Sequence, residues 1–153
     1  MKIKVLNIIA CILLAASLIF NGFQYSENQK LKEQHLATSQ QEVSFTIQRL
    51  EGYQESGDEA EYSTAISHIY AAYVAVSKYD ALTDNDEDLA LAYSGYFHDM
   101  WNKALFYPDT FKHIIDIVLE GLRAVKLDHD LTDLKTGAFI SNWFTAENID
   151  GKS

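Results

Sequence analysis

The sequence is poor in residues that cross-link a chain or interrupt its helices. It contains one cysteine, Cys11, one proline, Pro108, and seven glycines among 153 residues. A single cysteine excludes a disulfide framework, and no glycine-rich loop of the kind that holds phosphate is present. The fold must therefore rest on buried apolar side chains and on helix packing.

The sequence also lacks a calcium-binding loop. Asp84, Asp86 and Asp88 alternate as the first ligands of such a loop do. The loop then requires glycine at its sixth position and glutamate at its twelfth, where this chain has Leu89 and Gly95. The acidic run is instead typical of a helix start, because negative charge is favoured at that end of the helix dipole.

Histidine and serine residues do not complete a metal-binding or catalytic motif either. The five histidines are scattered, with no His-x-x-x-His pair: His35, His68, His98, His113 and His129. The tripeptide at residues 93–95, Tyr-Ser-Gly, does not match the Gly-x-Ser-x-Gly elbow of serine hydrolases. We therefore expect a protein that is not an enzyme and that binds no metal and no cofactor.

Positive charge is scarce beyond the N-terminus. All 22 acidic residues but only 10 of the 12 basic residues follow residue 23, so this part carries a net charge of −12 with neutral histidines. Nucleic acids and anionic lipid surfaces are bound by Lys and Arg side chains that neutralise phosphate. The composition therefore argues against nucleic-acid binding and favours a solvated acidic surface.

A long apolar run at the N-terminus is the most informative feature that is present. Residues 5–23 are almost uninterrupted apolar sequence and follow Lys2 and Lys4. A helix of about 19 residues, rising about 1.5 Å per residue, matches a hydrocarbon core of about 30 Å. We expect residues 1–23 to form an uncleaved transmembrane anchor.

Two alternatives for this segment stay open. Residues 15–17, Ala-Ala-Ser, offer the small side chains of a signal-peptidase site, although cleavage there would expose further apolar residues. Residues 8–11, Ile-Ile-Ala-Cys, resemble the lipobox that precedes a lipid-modified cysteine in bacterial envelope proteins. The residues after Cys11 are apolar, however, where a lipoprotein has a polar tether.

Positive charges near the apolar run predict its orientation, because Lys and Arg tend to stay on the cytoplasmic side. Lys2 and Lys4 favour a cytoplasmic N-terminus, and Lys30 and Lys32 on the other side weaken this bias. We expect a single-pass protein of the cell membrane whose C-terminal domain is extracytoplasmic. Cleavage of the N-terminal segment would make the protein secreted.

Apolar residues beyond the anchor recur at intervals of three and four, or of seven between Leu36 and Val43, which predicts amphipathic helices. The series, one for each predicted helix, are Leu36, Val43, Ile47 and Leu50; Tyr62, Ile66, Ile69, Tyr73 and Val76; Leu89, Tyr93, Tyr96 and Met100; Phe111, Ile115, Val118, Leu122 and Val125; and, more weakly, Leu131, Leu134, Ala138 and Ser141. We expect an all-α fold, an antiparallel bundle of four to five helices at residues 36–147. A polar helical stalk at residues 24–35 would precede it, and a disordered tail at residues 148–153 would follow.

Capping residues predict where these helices start. Ser56 and Glu59 match the Ser-x-x-Glu pattern of a capping box, which predicts that the second bundle helix starts there. The acidic run at residues 83–88 predicts the start of the third helix. Pro108 predicts that a fourth helix begins there and continues to about Lys126.

Aromatic residues are numerous, with 9 Tyr, 8 Phe and 2 Trp. Most lie in the helical series, and Tyr70 and Phe97 are expected to widen the buried face. A second group lies near the predicted helix ends, where exposed rings would bind a partner. The predicted partner-contact residues are Trp101, Tyr107, Trp143 and Phe144.

The expected function is that of a membrane-anchored extracytoplasmic helical protein that acts as a protein-interaction or scaffolding module in the cell envelope. Its expected partners are the membrane, through the N-terminal helix, and another envelope protein, not nucleic acid. The alternative is a ligand-binding or sensory helical domain with an aromatic-lined pocket. The sequence pattern gives no oligomeric state.

Overall fold

The computed structural model describes residues 2–83 and 88–125, and every regular element within these ranges is an α-helix. The helices are α1 (Lys2–Ser56), α2 (Glu59–Leu82), α3 (Asp88–Phe106), α4 (Pro108–His113) and α5 (Ile115–Ala124). The prediction of an all-α fold is confirmed. The predicted last helix and the tail lie outside the described residues.

The predicted anchor, stalk and first bundle helix form one continuous helix, α1, of 55 residues. No proline or glycine interrupts residues 24–51, so the backbone can remain helical through the polar stretch. Among the described helices, α1 is the one whose length and composition suffice to cross a membrane. Its large apolar side chains at residues 8–23 are exposed, whereas Leu36 and Leu50 are buried.

Helix α2 runs back along the second half of α1. Residues near the end of α1 contact residues near the start of α2, and a residue further back on α1 contacts one further along α2. These contacts are the ring pair Tyr53–Tyr62 with centroids 5.3 Å apart, the ion pair Arg49–Glu61 at 3.1 Å, and the pair Glu42–His68 at 2.6 Å. The short connection after Ser56 therefore folds α1 and α2 into an antiparallel helical hairpin.

The hairpin is held by a seam of buried residues at alternating intervals of three and four on both helices. The seam contains Leu36, Ser39, Val43, Thr46 and Leu50 from α1 and Tyr62, Ala65, Ile69, Ala72, Val76 and Tyr79 from α2. Small residues fill alternate positions, so the two backbones can approach closely. Ile66 and Tyr73, which were predicted in the same series, are only partly buried and pack beside the seam.

Helix α3 packs against α2, and α4 and α5 extend the same hydrophobic core. The largest completely buried side chains of these three helices include Tyr93, Phe97, Met100, Phe111 and Ile115. Helix α5 also contacts α1, where the Gln54 side-chain amide donates to Asp116 Oδ1 at 2.7 Å. The antiparallel arrangement of a complete bundle stays a prediction.

The predicted start of α2 is wrong by two residues. Ser56 ends α1 and donates to the carbonyl oxygen of Gly52, while Asp58 is the N-cap and accepts from the Ala60 amide at 2.9 Å. The reason is Gly57, whose φ of 69° ends α1 in the left-handed region that glycine adopts at little cost. Helix α3 is described from Asp88 onward, and residues 84–87, which belong to the predicted start of this helix, lie outside the described residues.

The predicted single helix from Pro108 to about Lys126 is also wrong. Pro108 does begin a helix, but Ile114, with φ −109° and ψ 12°, separates α4 from α5. The Ile114 amide donates to Phe111 oxygen, three residues back, so the regular four-residue pattern is interrupted. Phe111 and Ile115, on either side of this break, are both buried in the core.

Candidate functional site

Four aromatic side chains meet across α2 and α3. Tyr70 and Tyr73 belong to α2, and His98 and Trp101 belong to α3. The ring centroids lie 6.0 Å apart for Tyr70–Tyr73, 5.2 Å for Tyr73–His98, 6.3 Å for His98–Trp101 and 4.9 Å for Trp101–Tyr70. Each ring therefore contacts two others in a closed circuit, here named the aromatic cluster.

The antiparallel register of α2 and α3 positions the aromatic cluster. Ser77 Oγ and Ser94 Oγ lie 2.8 Å apart and fix one level of the contact. Tyr73 and Tyr70 lie four and seven residues before Ser77. His98 and Trp101 lie four and seven residues after Ser94. Since residues at these intervals share a helix face, each ring meets a counterpart on the opposite helix.

The aromatic cluster is packed on one side and open to solvent on the other. Tyr73 and Trp101 are half-buried and pack against the hydrophobic core. His98 is exposed, and Tyr70 is 45% exposed. The prediction that Tyr70 would widen the buried face is therefore wrong, because its ring lies beside α3 at the surface. The same prediction for Phe97 is confirmed, with 0% exposure.

The segment of α2 that carries the two cluster tyrosines is free of formal charge. Residues 62–77 of α2 contain no Asp, Glu, Lys or Arg, although the chain as a whole is 22% charged. Asn102 Nδ2 lies 3.3 Å from both ring nitrogens of His98, Nδ1 and Nε2. The centres of protein interfaces are similarly poor in charge and rich in tyrosine and tryptophan.

The structure separates the predicted partner-contact residues. Trp101 belongs to the aromatic cluster. Tyr107 lies in another element, at the N-cap of α4, where it is 66% exposed and follows the similarly exposed Phe106. Trp143 and Phe144 lie outside the described residues. The sequence pattern did not identify the rings that accompany Trp101. It assigned Tyr70 and Tyr73 to the core and gave His98 no role.

A second group of rings has a structural role. The Tyr62 hydroxyl donates to the Ala104 carbonyl oxygen at 2.9 Å, and burial, followed by the charge of Glu59, raises the pKa of Tyr62 to about 12. Lys112 Nζ lies 4.8 Å from the Tyr62 ring centroid and 5.5 Å from that of Tyr53. Its hydrogen bond to Glu59, at 2.7 Å, raises the pKa of Lys112. The contacts of Lys112 connect α4 to the α1–α2 hairpin, and the hydrogen bond of Tyr62 connects α2 to α3.

The described residues offer no group of three or more His, Cys, Asp and Glu side chains that could hold a metal ion.

No protein-family model matches the sequence, and comparisons with curated proteins and with solved structures give no match either. The aromatic cluster is the surface feature with the clearest potential for binding.

Proposed function

We propose that the protein is a single-pass membrane protein whose extracytoplasmic helical bundle binds another envelope protein. Support for the anchor comes from nine large apolar side chains of α1 that are at least 49% exposed: Ile8, Ile9, Ile12, Leu13, Leu14, Leu18, Ile19, Phe20 and Phe23. Transfer of such side chains from water contributes about 1.5–3 kcal/mol each, so together they favour lipid by more than about 10 kcal/mol.

The continuity of α1 supports a role as a spacer. Phe45 of α1 lies beside His68 of α2, with ring centroids 5.2 Å apart, so this level of the domain is close to that of the aromatic cluster. Phe45 follows residue 23 by 22 residues, which corresponds to about 33 Å of helix. Because α2 returns towards the membrane, Tyr70 and Tyr73 lie nearer to it than His68, and an uninterrupted α1 would hold the cluster about 25–30 Å from the membrane and restrict the partners that can reach it.

The exposed rings of the aromatic cluster carry the proposal of protein binding. Tyrosine and tryptophan are over-represented among the residues that dominate the free energy of protein association. Rings that are already packed against each other lose little side-chain entropy when a partner binds. The cluster is therefore suited to an interface without rearrangement of the core.

Site-specific photocrosslinking in the native host tests this proposal. A photoreactive phenylalanine analogue replaces Tyr70, and the matched control carries it at Glu120, which is exposed on α5. We expect one discrete adduct from position 70, none from position 120, and loss of the adduct in Trp101→Ser with unchanged helicity. Equal adducts from both positions, or none from position 70, would contradict the proposed interface.

A further inference from the structure

The aromatic cluster has the dimensions of a site for an organic cation. Neighbouring ring centroids are 4.9–6.3 Å apart around the circuit. A group above the centre of four such rings lies about 5–6 Å from each centroid, within the range of cation–π attraction. One bound cation would thus interact with all four rings at once.

The orientations of the rings agree with such a site. Neighbouring ring planes meet at 43–50° all the way round the circuit. Four rings that are tilted towards one axis, as the walls of a shallow dish are, make similar angles with their neighbours. The proposed site requires the electron-rich ring faces, to which cations are attracted, to be turned towards one point, and the interplanar angles are compatible with this.

We propose that the aromatic cluster binds an arginine side chain of the partner protein, an inference that rests on the proposed function. A guanidinium group is planar and weakly hydrated, so it can stack in an open dish where an ammonium ion would keep its water. The net charge of −12 beyond residue 23 attracts cations to this domain.

The same chain already places a cation over two tyrosine rings. Lys112 Nζ lies over Tyr53 and Tyr62, at 5.5 and 4.8 Å from the centroids. There the cation belongs to the chain and also forms an ion pair with Glu59. The aromatic cluster offers twice as many rings on an accessible surface, so a cation from a partner can take the equivalent position.

The test is a titration of the full-length protein in detergent micelles at constant ionic strength. Trp143→Phe makes Trp101 the sole fluorescent tryptophan, since the chain has two. The ligands are N-acetyl-argininamide and its neutral analogue of the same shape, N-acetyl-citrullinamide. We expect a saturable change in Trp101 emission with half-saturation at about 1–30 mM for the arginine compound, as a few cation–π contacts would give. The citrulline compound should produce none.

Two variants locate the binding. Tyr70→Leu removes one ring and should weaken binding at least about threefold, whereas Tyr70→Phe should leave it unchanged. His98→Lys places a positive charge at the edge of the dish and should abolish binding, with circular dichroism verifying unchanged helicity. Absence of saturation with argininamide, or an equal response to citrullinamide, would overturn the inference. Tighter binding of tetramethylammonium than of argininamide would overturn the assignment to arginine.

This titration tests the arginine site, and the photocrosslinking tests the protein partner, so the two proposals can be overturned separately. An adduct at position 70 without an arginine-dependent signal would leave the proposed function standing and overturn the arginine site. A saturable arginine signal without any adduct would overturn the protein partner instead.

Discussion

Ser39 provides a sharp test of the packing between α1 and α2. Its side chain is 0% exposed, and its Oγ has no hydrogen-bond partner. Thr46, one heptad further along the same seam, is also buried, but its hydroxyl donates to the Glu42 carbonyl oxygen at 2.8 Å. The two hydroxyl groups thus share an environment and differ in hydrogen bonding.

Replacement of Ser39 by alanine should stabilise the protein. An unpaired buried hydroxyl costs about 1–3 kcal/mol, and the higher helix propensity of alanine adds up to about 0.5 kcal/mol. The loss of one oxygen atom leaves little empty volume. We therefore expect Ser39→Ala to raise the free energy of unfolding by about 1–3 kcal/mol. Thr46→Val, which removes a satisfied hydroxyl of similar size, should change it by less than about 1 kcal/mol and should not raise it.

Urea unfolding of the full-length protein in a mild detergent, followed by the helical circular dichroism signal, measures both variants. A micelle keeps the apolar part of α1 helical, so the transition reports on the rest of the chain. A lower stability of Ser39→Ala than of the unmodified protein would refute the reasoning, because it would show that the hydroxyl makes a favourable bond in the folded state.

Three further predictions use the same unfolding assay. Gly57 has a φ of 69°, and an added Cβ would have no atom within 4 Å. Gly57→Ala should therefore lower the free energy of unfolding by about 1–2 kcal/mol through backbone strain alone. A variant as stable as the unmodified protein would contradict this. Leu50 is 0% exposed, so Leu50→Ala should lose about 2–5 kcal/mol, against less than about 0.5 kcal/mol for Leu91→Ala at a 63% exposed position. The pKa of Tyr62 rises from 10.0 to about 12 on folding. The contribution of its protonated hydroxyl to the free energy of unfolding is therefore complete below pH 10 and is lost as the pH rises through 12. The stability difference between the unmodified protein and Tyr62→Phe should therefore shrink over that range, and a constant difference would count against the raised pKa.

The helical class and many core positions could be predicted because large apolar residues at intervals of three and four mark the buried side of a helix. Leu36, Val43 and Leu50 are buried as predicted. The small members of the same seam gave no such signal, because Ala65 and Ala72 contribute little hydrophobicity of their own. Their burial follows from the close approach of α2 to α1, which only the folded pair of helices defines.

The aromatic cluster could not be derived from the periodicity of one helix. Tyr70 and Tyr73 are three residues apart, and the pattern alone does not show which neighbouring helix lies against either ring. Their contacts depend on the register between α2 and α3, which brings His98 and Trp101 to the same levels. The break at Ile114 was likewise unpredictable, since no proline or glycine marks it.

Thiol labelling of intact cells tests most directly whether α1 spans the membrane and holds the helical domain outside. The labelled variant carries Ser67→Cys, an exposed position of α2, together with Cys11→Ser, and the reagent is a membrane-impermeant maleimide. We expect equal labelling of Ser67→Cys before and after cell lysis, no labelling of the native Cys11 within the span, and recovery of the full-length chain with the membranes. Labelling only after lysis, or recovery of a shortened chain in the medium, would contradict the membrane-anchored extracytoplasmic arrangement.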